Sequence, residues 1–168
     1  MLDIIDLVTH RSRTYAFQQG RHTRSVAQAS AMVYVIRAEP CTHQFLKEIR
    51  FFVTSFGGAK TRLWLESDVF LFPTYHAEGL PYAVLEAMAA GCVAVASPVA
   101  AIADVVENGV NGLFVASQDA VALASAVRSL NNDRQRLRQL GVAGRARITA
   151  HYTLPRLAGD IERIYRLI

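Results

Sequence analysis

Residues 78–91 read Glu78-Gly-Leu-Pro-Tyr-Ala-Val-Leu-Glu86-Ala-Met-Ala-Ala-Gly91, and the fold is decided by how this stretch is taken. It reads as a helix. Pro81 sits where a first turn tolerates a missing N–H, Leu, Ala, Met and Glu are strong helix formers, and Gly91 supplies the stop. Between Glu78 and Ala103 the only charged residue is Glu86. An unpaired carboxylate in such surroundings costs roughly several kcal/mol. A helix that is apolar nearly all round is buried, so Glu86 is expected to face a polar cavity or a ligand.

Outward from this helix, strands and helices alternate. Val69–Phe72 reads as a four-residue apolar strand, preceded by a helix over 59–67 and ended by Pro73. Residues 92–96 are the next buried strand, followed by a turn at Ser97-Pro98 and a short helix over 102–107. Asn108-Gly109 and Asn111-Gly112 are turn signals, and 113–115 is a third short strand. Asp119 caps a helix to about Leu130, and Asp133 caps another to about Ala150. The second is rich in Arg, with Arg134, Arg136, Arg138, Arg145 and Arg147 read as a solvated face. Leu157, Ile161, Ile164, Tyr165 and Ile168 mark an amphipathic C-terminal helix. This alternation with short connections predicts an α/β fold, a parallel sheet with helices on both faces. The first fifty residues are less regular: a weak helical stripe over 1–8, a polar Arg-rich run over 9–30, a strand over 31–38 and a helix over 42–50. A strand over 51–54 follows.

Composition bounds the function. At 168 residues, just over half hydrophobic and a fifth charged, the chain is one ordinary globular domain rather than a disordered one. The net charge of +4 is uneven, because residues 1–38 carry five Arg against Asp3 and Asp6. No nucleic-acid motif surrounds Arg11, Arg13, Arg21 and Arg24, so this basic segment reads as solvated. Cys41 and Cys92 lie outside any metal-ligand spacing, and Cys92 opens an apolar run as a buried free thiol. The N-terminus carries acids where a signal peptide needs Lys or Arg, and the apolar run 87–96 is too short to cross a bilayer. A soluble, cytoplasmic protein is expected.

In an open α/β sheet, ligands bind beyond the carboxyl ends of the strands. The loop 73–79 leaves such an end, and the helix that follows aims its N-terminus at the crevice. Free amides near Leu80, Tyr82 and Ala83, with the positive end of the helix dipole, make an anion site. Gly79 lets the backbone approach a ligand closely. Glu86, one to two turns in, can accept hydrogen bonds from vicinal hydroxyls. A phosphate at a helix tip beside a diol held by a carboxylate describes a nucleotide's diphosphate and ribose, with Glu78 facing whatever the diphosphate carries. A glycosidase acid/base pair is the alternative two-carboxylate reading. Its groups lie roughly 5–9.5 Å apart, against about 12 Å for eight residues of continuous helix, a difference that counts only mildly because Glu78 lies in the loop. It also leaves the anion site unexplained.

At these residues the chain resembles the retaining, GT-B-fold glycosyltransferases of family 4, in their nucleotide-binding domain. The family's signature is two glutamates separated by seven residues, matched by Glu78 and Glu86. The match extends to Ser67-Asp-Val-Phe-Leu-Phe-Pro-Thr-Tyr75 before the pair and Glu86-Ala-Met-Ala-Ala-Gly91 within the helix. It continues in Val105-Val-Glu-Asn-Gly-Val-Asn-Gly-Leu-Phe-Val115 and covers about residues 53–168. The resemblance implies the C-terminal half of a GT-B fold, a Rossmann-like parallel sheet in residues 51–168, behind a poorly defined basic segment in 1–50. It implies transfer of a sugar, with retention, from a nucleotide-diphosphate donor such as a UDP- or GDP-sugar, with no cofactor and no required metal. Glu86 would hold the ribose hydroxyls, Gly79, Leu80, Pro81, Tyr82 and Ala83 would line the diphosphate site, and Glu78 would contact the transferred sugar as the catalytic residue. The implied partners are a glycan or lipid-linked acceptor in polysaccharide or cell-envelope synthesis, the membrane surface by peripheral association, and an N-terminal acceptor domain; nucleic acid is not among them.

The chain departs from the family in three places. By the resemblance, a counterpart of the family's N-terminal domain is expected to be missing, and no Lys in residues 1–50 stands in the context of its phosphate-contacting lysine; Lys47 and Lys60 lie outside that context. Ala100-Ala101 and Ala103 stand where the family tends to have Gly-Gly and Pro. The expectation is a truncated or rearranged glycosyltransferase, with the apolar stripe of 157–168 lacking a partner. The alternative is a non-catalytic module that binds a nucleotide sugar or a partner chain.

Overall fold

Val69-Phe-Leu-Phe72 and Val93-Ala-Val-Ala96 are apolar at every position, so each segment must bury both of its faces. The computed structural model of the protein describes residues 33–37, 48–52, 57–75 and 79–167. Its strands are β1 (Val33–Arg37), β2 (Glu48–Phe52), β3 (Val69–Phe72), β4 (Val93–Ala96) and β5 (Gly112–Phe114). Its helices are α1 (Gly57–Leu65), α2 (Tyr82–Ala90), α3 (Ile102–Val105), α4 (Ala120–Asn132), α5 (Arg134–His151) and α6 (Leu154–Tyr165). The strands form one sheet in the order β2-β1-β3-β4-β5. β3, β4 and β5 are parallel, with Phe70 opposite Ala94 and Val95 opposite Leu113.

The parallel sheet expected from the sequence is this β3-β4-β5 half, where α2 and α3 supply the crossovers that parallel pairing needs. β1 is antiparallel to both β2 and β3, so the whole sheet is mixed. The helix expected over 42–50 fails at its end, because Glu48–Arg50 belong to β2 with Phe51 and Phe52. Glu48-Ile-Arg-Phe alternates polar and apolar with a period of two, and that pattern outweighs the helix propensity of Glu and Arg. The rest of that helix, Cys41, Lys47 and the readings of 1–32 lie outside the described residues.

Alternation along the strands sorts the core into two layers. Phe70, Phe72, Ala94 and Ala96 pack with Leu63 and Trp64 of α1 and with Val84, Ala87 and Met88 of α2. Val69, Leu71, Val93 and Val95 pack on the other face with Leu123, Val127 and Leu130 of α4 and with Leu137 and Leu140 of α5. Full burial of each large side chain contributes roughly 1.5–3 kcal/mol, and helices cover both faces as expected. The predicted caps are in place: Asp119 Oδ1 accepts from Ala122 N at 2.8 Å, and Asp133 Oδ1 from Arg136 N at 2.9 Å. The stripe expected on α6 is present but uncovered. No residue of that helix is buried, and Leu157, Ile161 and Ile164 are exposed.

Candidate functional site

Loops leave the carboxyl ends of β3, β4 and β5 and meet at one edge. After β4, Ser97 N donates to Phe72 O at 3.3 Å. After β5, Ser117 Oγ donates to Thr74 O at 3.0 Å. These bonds draw the strand ends together, and the chain leaving β3 passes from this edge into α2.

α2 begins at Tyr82, with Pro81 as its N-cap at φ −69° and ψ 121°. The proline therefore stands one position ahead of the first turn expected for it, in the extended conformation from which a helix is entered. Its ring offers no acceptor, and among the described residues no side chain caps the helix. Val84 N donates to Pro81 O at 3.0 Å. The amides of Tyr82 and Ala83 lie ahead of it, where no intrahelical acceptor exists. With the helix dipole they favour an anion at this tip. Leu80 and Ala83 pack against the core, while Tyr82 is exposed. A Cβ on Gly79 would meet nothing within 4 Å among the described residues, so packing against them does not demand the glycine.

Glu86 differs most from its expected surroundings. α2 buries Val84, Ala87 and Met88, but it is not buried all round, and the Glu86 side chain is 38% exposed. Its Oε1 accepts a hydrogen bond from Lys60 Nζ at 2.7 Å. The carboxylate does reach a polar edge, and a cation from α1 stands there with it. Lys60 is the site residue that the sequence patterns miss, because it falls outside the family's lysine context. Spacing holds the available signal: Lys60, Leu63 and Trp64 are i, i+3 and i+4, and the latter two pack with α2. Glu78 lies outside the described residues. Among the described residues no group of His, Cys, Asp and Glu could hold a metal ion, and no helix is long and apolar enough to cross a membrane.

An α/β sheet whose parallel half is covered by helices on both faces is of the Rossmann-like class. The model of the family glycosyl transferases group 1 matches residues 24–133, and the chain belongs to that family. The match begins inside the basic segment 1–50 that composition sets apart. Alpha-maltose-1-phosphate synthase of Mycolicibacterium smegmatis is 34% identical over 151 residues, which cover 86% of this chain and 35% of that protein. Among solved structures, sucrose-phosphate synthase of Thermosynechococcus elongatus matches with a TM-score of 0.59 at 33% identity, over 62% of this chain and 26% of that one. The Anabaena protein HepE in complex with UDP matches with a TM-score of 0.62 at 20% identity, over 64% of this chain and 29% of that one, and shares the fold. The chain thus spans 26–35% of the length of these relatives.

Proposed function

We propose that this chain is the donor-binding part of a glycosyltransferase that takes a sugar from a nucleotide-diphosphate donor and transfers it with retention at the anomeric carbon. One observation carries the reading: the uncapped tip of α2 opens at the carboxyl edge of the sheet, with Glu86 four residues into the helix. Four residues rise about 6 Å along the axis, a spacing that suits a diphosphate at the tip and a ribose diol at the carboxylate. The amides around Leu80, Tyr82 and Ala83 hold the diphosphate, and Glu78 faces the sugar. Catalysis then consists of positioning the donor and stabilising charge on the departing diphosphate by fixed backbone dipoles, without a required metal. HepE's complex with UDP makes UDP the first nucleotide to try.

The acceptor, a glycan or lipid-linked one in polysaccharide or cell-envelope synthesis, binds a second domain on the cytoplasmic side of the membrane. The exposed stripe of α6 favours one further reading, in which this chain binds donor and turns it over only when another surface covers that stripe.

Thermal unfolding of the chain with UDP, GDP and ADP, alone and as sugar conjugates, tests the donor site. A ligand at a hundredfold over its dissociation constant stabilises the native state by about 2.7 kcal/mol. One nucleotide is expected to raise the melting temperature of the native chain and not that of Glu86→Ala. No shift with any nucleotide, on a chain that unfolds cooperatively, contradicts the proposal.

A further inference from the structure

We infer that Lys60 is a positioning residue of the donor site, the counter-ion that lets the Glu86 carboxylate stand close to a bound diphosphate. The inference rests on the reading of the α2 tip as a diphosphate site. That reading carries an electrostatic difficulty. The helix dipole draws the diphosphate to the tip, yet Glu86, one turn further along the same helix, repels it. The two charges lie within a Debye length, about 8 Å at physiological salt, so solvent ions do not remove the repulsion. α2 offers no compensation, because Glu86 is its only charged residue.

Lys60 resolves this from the neighbouring helix. Its Nζ stands 2.7 Å from Oε1, with the two side chains 34% and 38% exposed. One N–H of the ammonium neutralises the carboxylate through Oε1 and leaves Oε2 as an acceptor. The remaining N–H donors lie beside it. A vicinal diol then meets an acceptor and a donor side by side, while the Lys60–Glu86 pair presents no net charge to the diphosphate. A pair this exposed contributes little to stability, so its effect is read in ligand affinity rather than in the fold.

Titration calorimetry of the full chain with UDP, GDP and ADP tests this, using the native protein, Lys60→Met and Lys60→Arg at low salt and at about 1 M, where the Debye length falls to about 3 Å. Lys60→Gln replaces Lys60→Met if the latter does not unfold cooperatively. For the nucleotide that binds, Lys60→Met is expected to weaken affinity about tenfold at low salt. The gap closes in high salt, and Lys60→Arg binds like the native protein. Equal affinity of native and Lys60→Met at low salt, or a gap that salt does not change, overturns the role of Lys60 and leaves the donor site standing. No binding of any of the three nucleotides by the native chain overturns the donor reading, and the role of Lys60 with it.

Discussion

The α-carbon of Gly141, on α5, packs directly against the carbonyl oxygen of Gly91 at the end of α2, with no room for a side chain between them. Gly91 is left-handed at φ 94°, and its N–H closes onto Met88 O at 3.0 Å. One turn further along α5, a Cβ on Gly144 would lie 3.1 Å from Asn111 O and 3.4 Å from the Met88 side chain. α5 therefore clamps the C-terminal end of α2. It fixes the axis along which Glu86 and the uncapped tip are aligned.

Gly141→Ala is expected to destabilise the fold by about 1–3 kcal/mol, the usual cost of forcing atoms into a closed contact. Gly159 on α6 is the control, since a Cβ there meets nothing within 4 Å. Gly159→Ala leaves stability unchanged or raises it by up to about 1 kcal/mol through helix propensity. Urea midpoints of the two variants should move in opposite directions or separate clearly.

Two residues of the loop after β4 carry local costs. Ser97 is fully buried and its Oγ finds no hydrogen-bond partner among the described residues. Ala100 adopts φ 48°, the left-handed region that favours glycine. The backbone here keeps a glycine conformation although the residue is alanine, at a cost of roughly 1–2 kcal/mol. Ala100→Gly is expected to raise the urea midpoint by the equivalent of about 1 kcal/mol, less the entropy that glycine adds to the unfolded chain. An unchanged or lower midpoint would show that the loop is not strained at this residue.

The parallel half of the fold is legible because Val69–Phe72 and Val93–Ala96 are apolar throughout, and because Gly91, Asp119 and Asp133 mark helix ends by local chemistry. The β1–β2 arrangement is less legible. Glu48-Ile-Arg-Phe-Phe mixes helix-forming residues with strand alternation, and antiparallel pairing depends on partners far along the chain. The tip of α2 is readable from Gly79-Leu-Pro-Tyr, since proline and glycine constrain their own backbone. Lys60 is not readable, because its partner Glu86 is 26 residues away and only the packing of Leu63 and Trp64 on α2 brings them together.

Cys92 donates its thiol to the carbonyls of Trp64 and Ser67, each at 3.2 Å. Burial first, and then the charge of Asp68, push its pKa from 9.0 up to about 12. The native thiol therefore stays neutral where the unfolded one ionises, and this contribution to stability is lost as pH rises from about 9 to about 12. In a Cys41→Ser background, alkylation of Cys92 should proceed only as fast as the protein opens. Urea midpoints should fall above pH 9 and fall less in Cys92→Ala. Rapid labelling of the native protein would contradict the burial.

The most direct measurement is an amide NMR titration of the chain with the nucleoside diphosphate that stabilises it. If the α2 tip and Glu86 hold the donor, the amides of Leu80, Tyr82, Ala83 and Glu86 shift together and saturate with one dissociation constant, while those of α6 stay in place. Saturable shifts confined to other elements such as the Arg-rich α5, or none at all, would contradict a donor site at this tip.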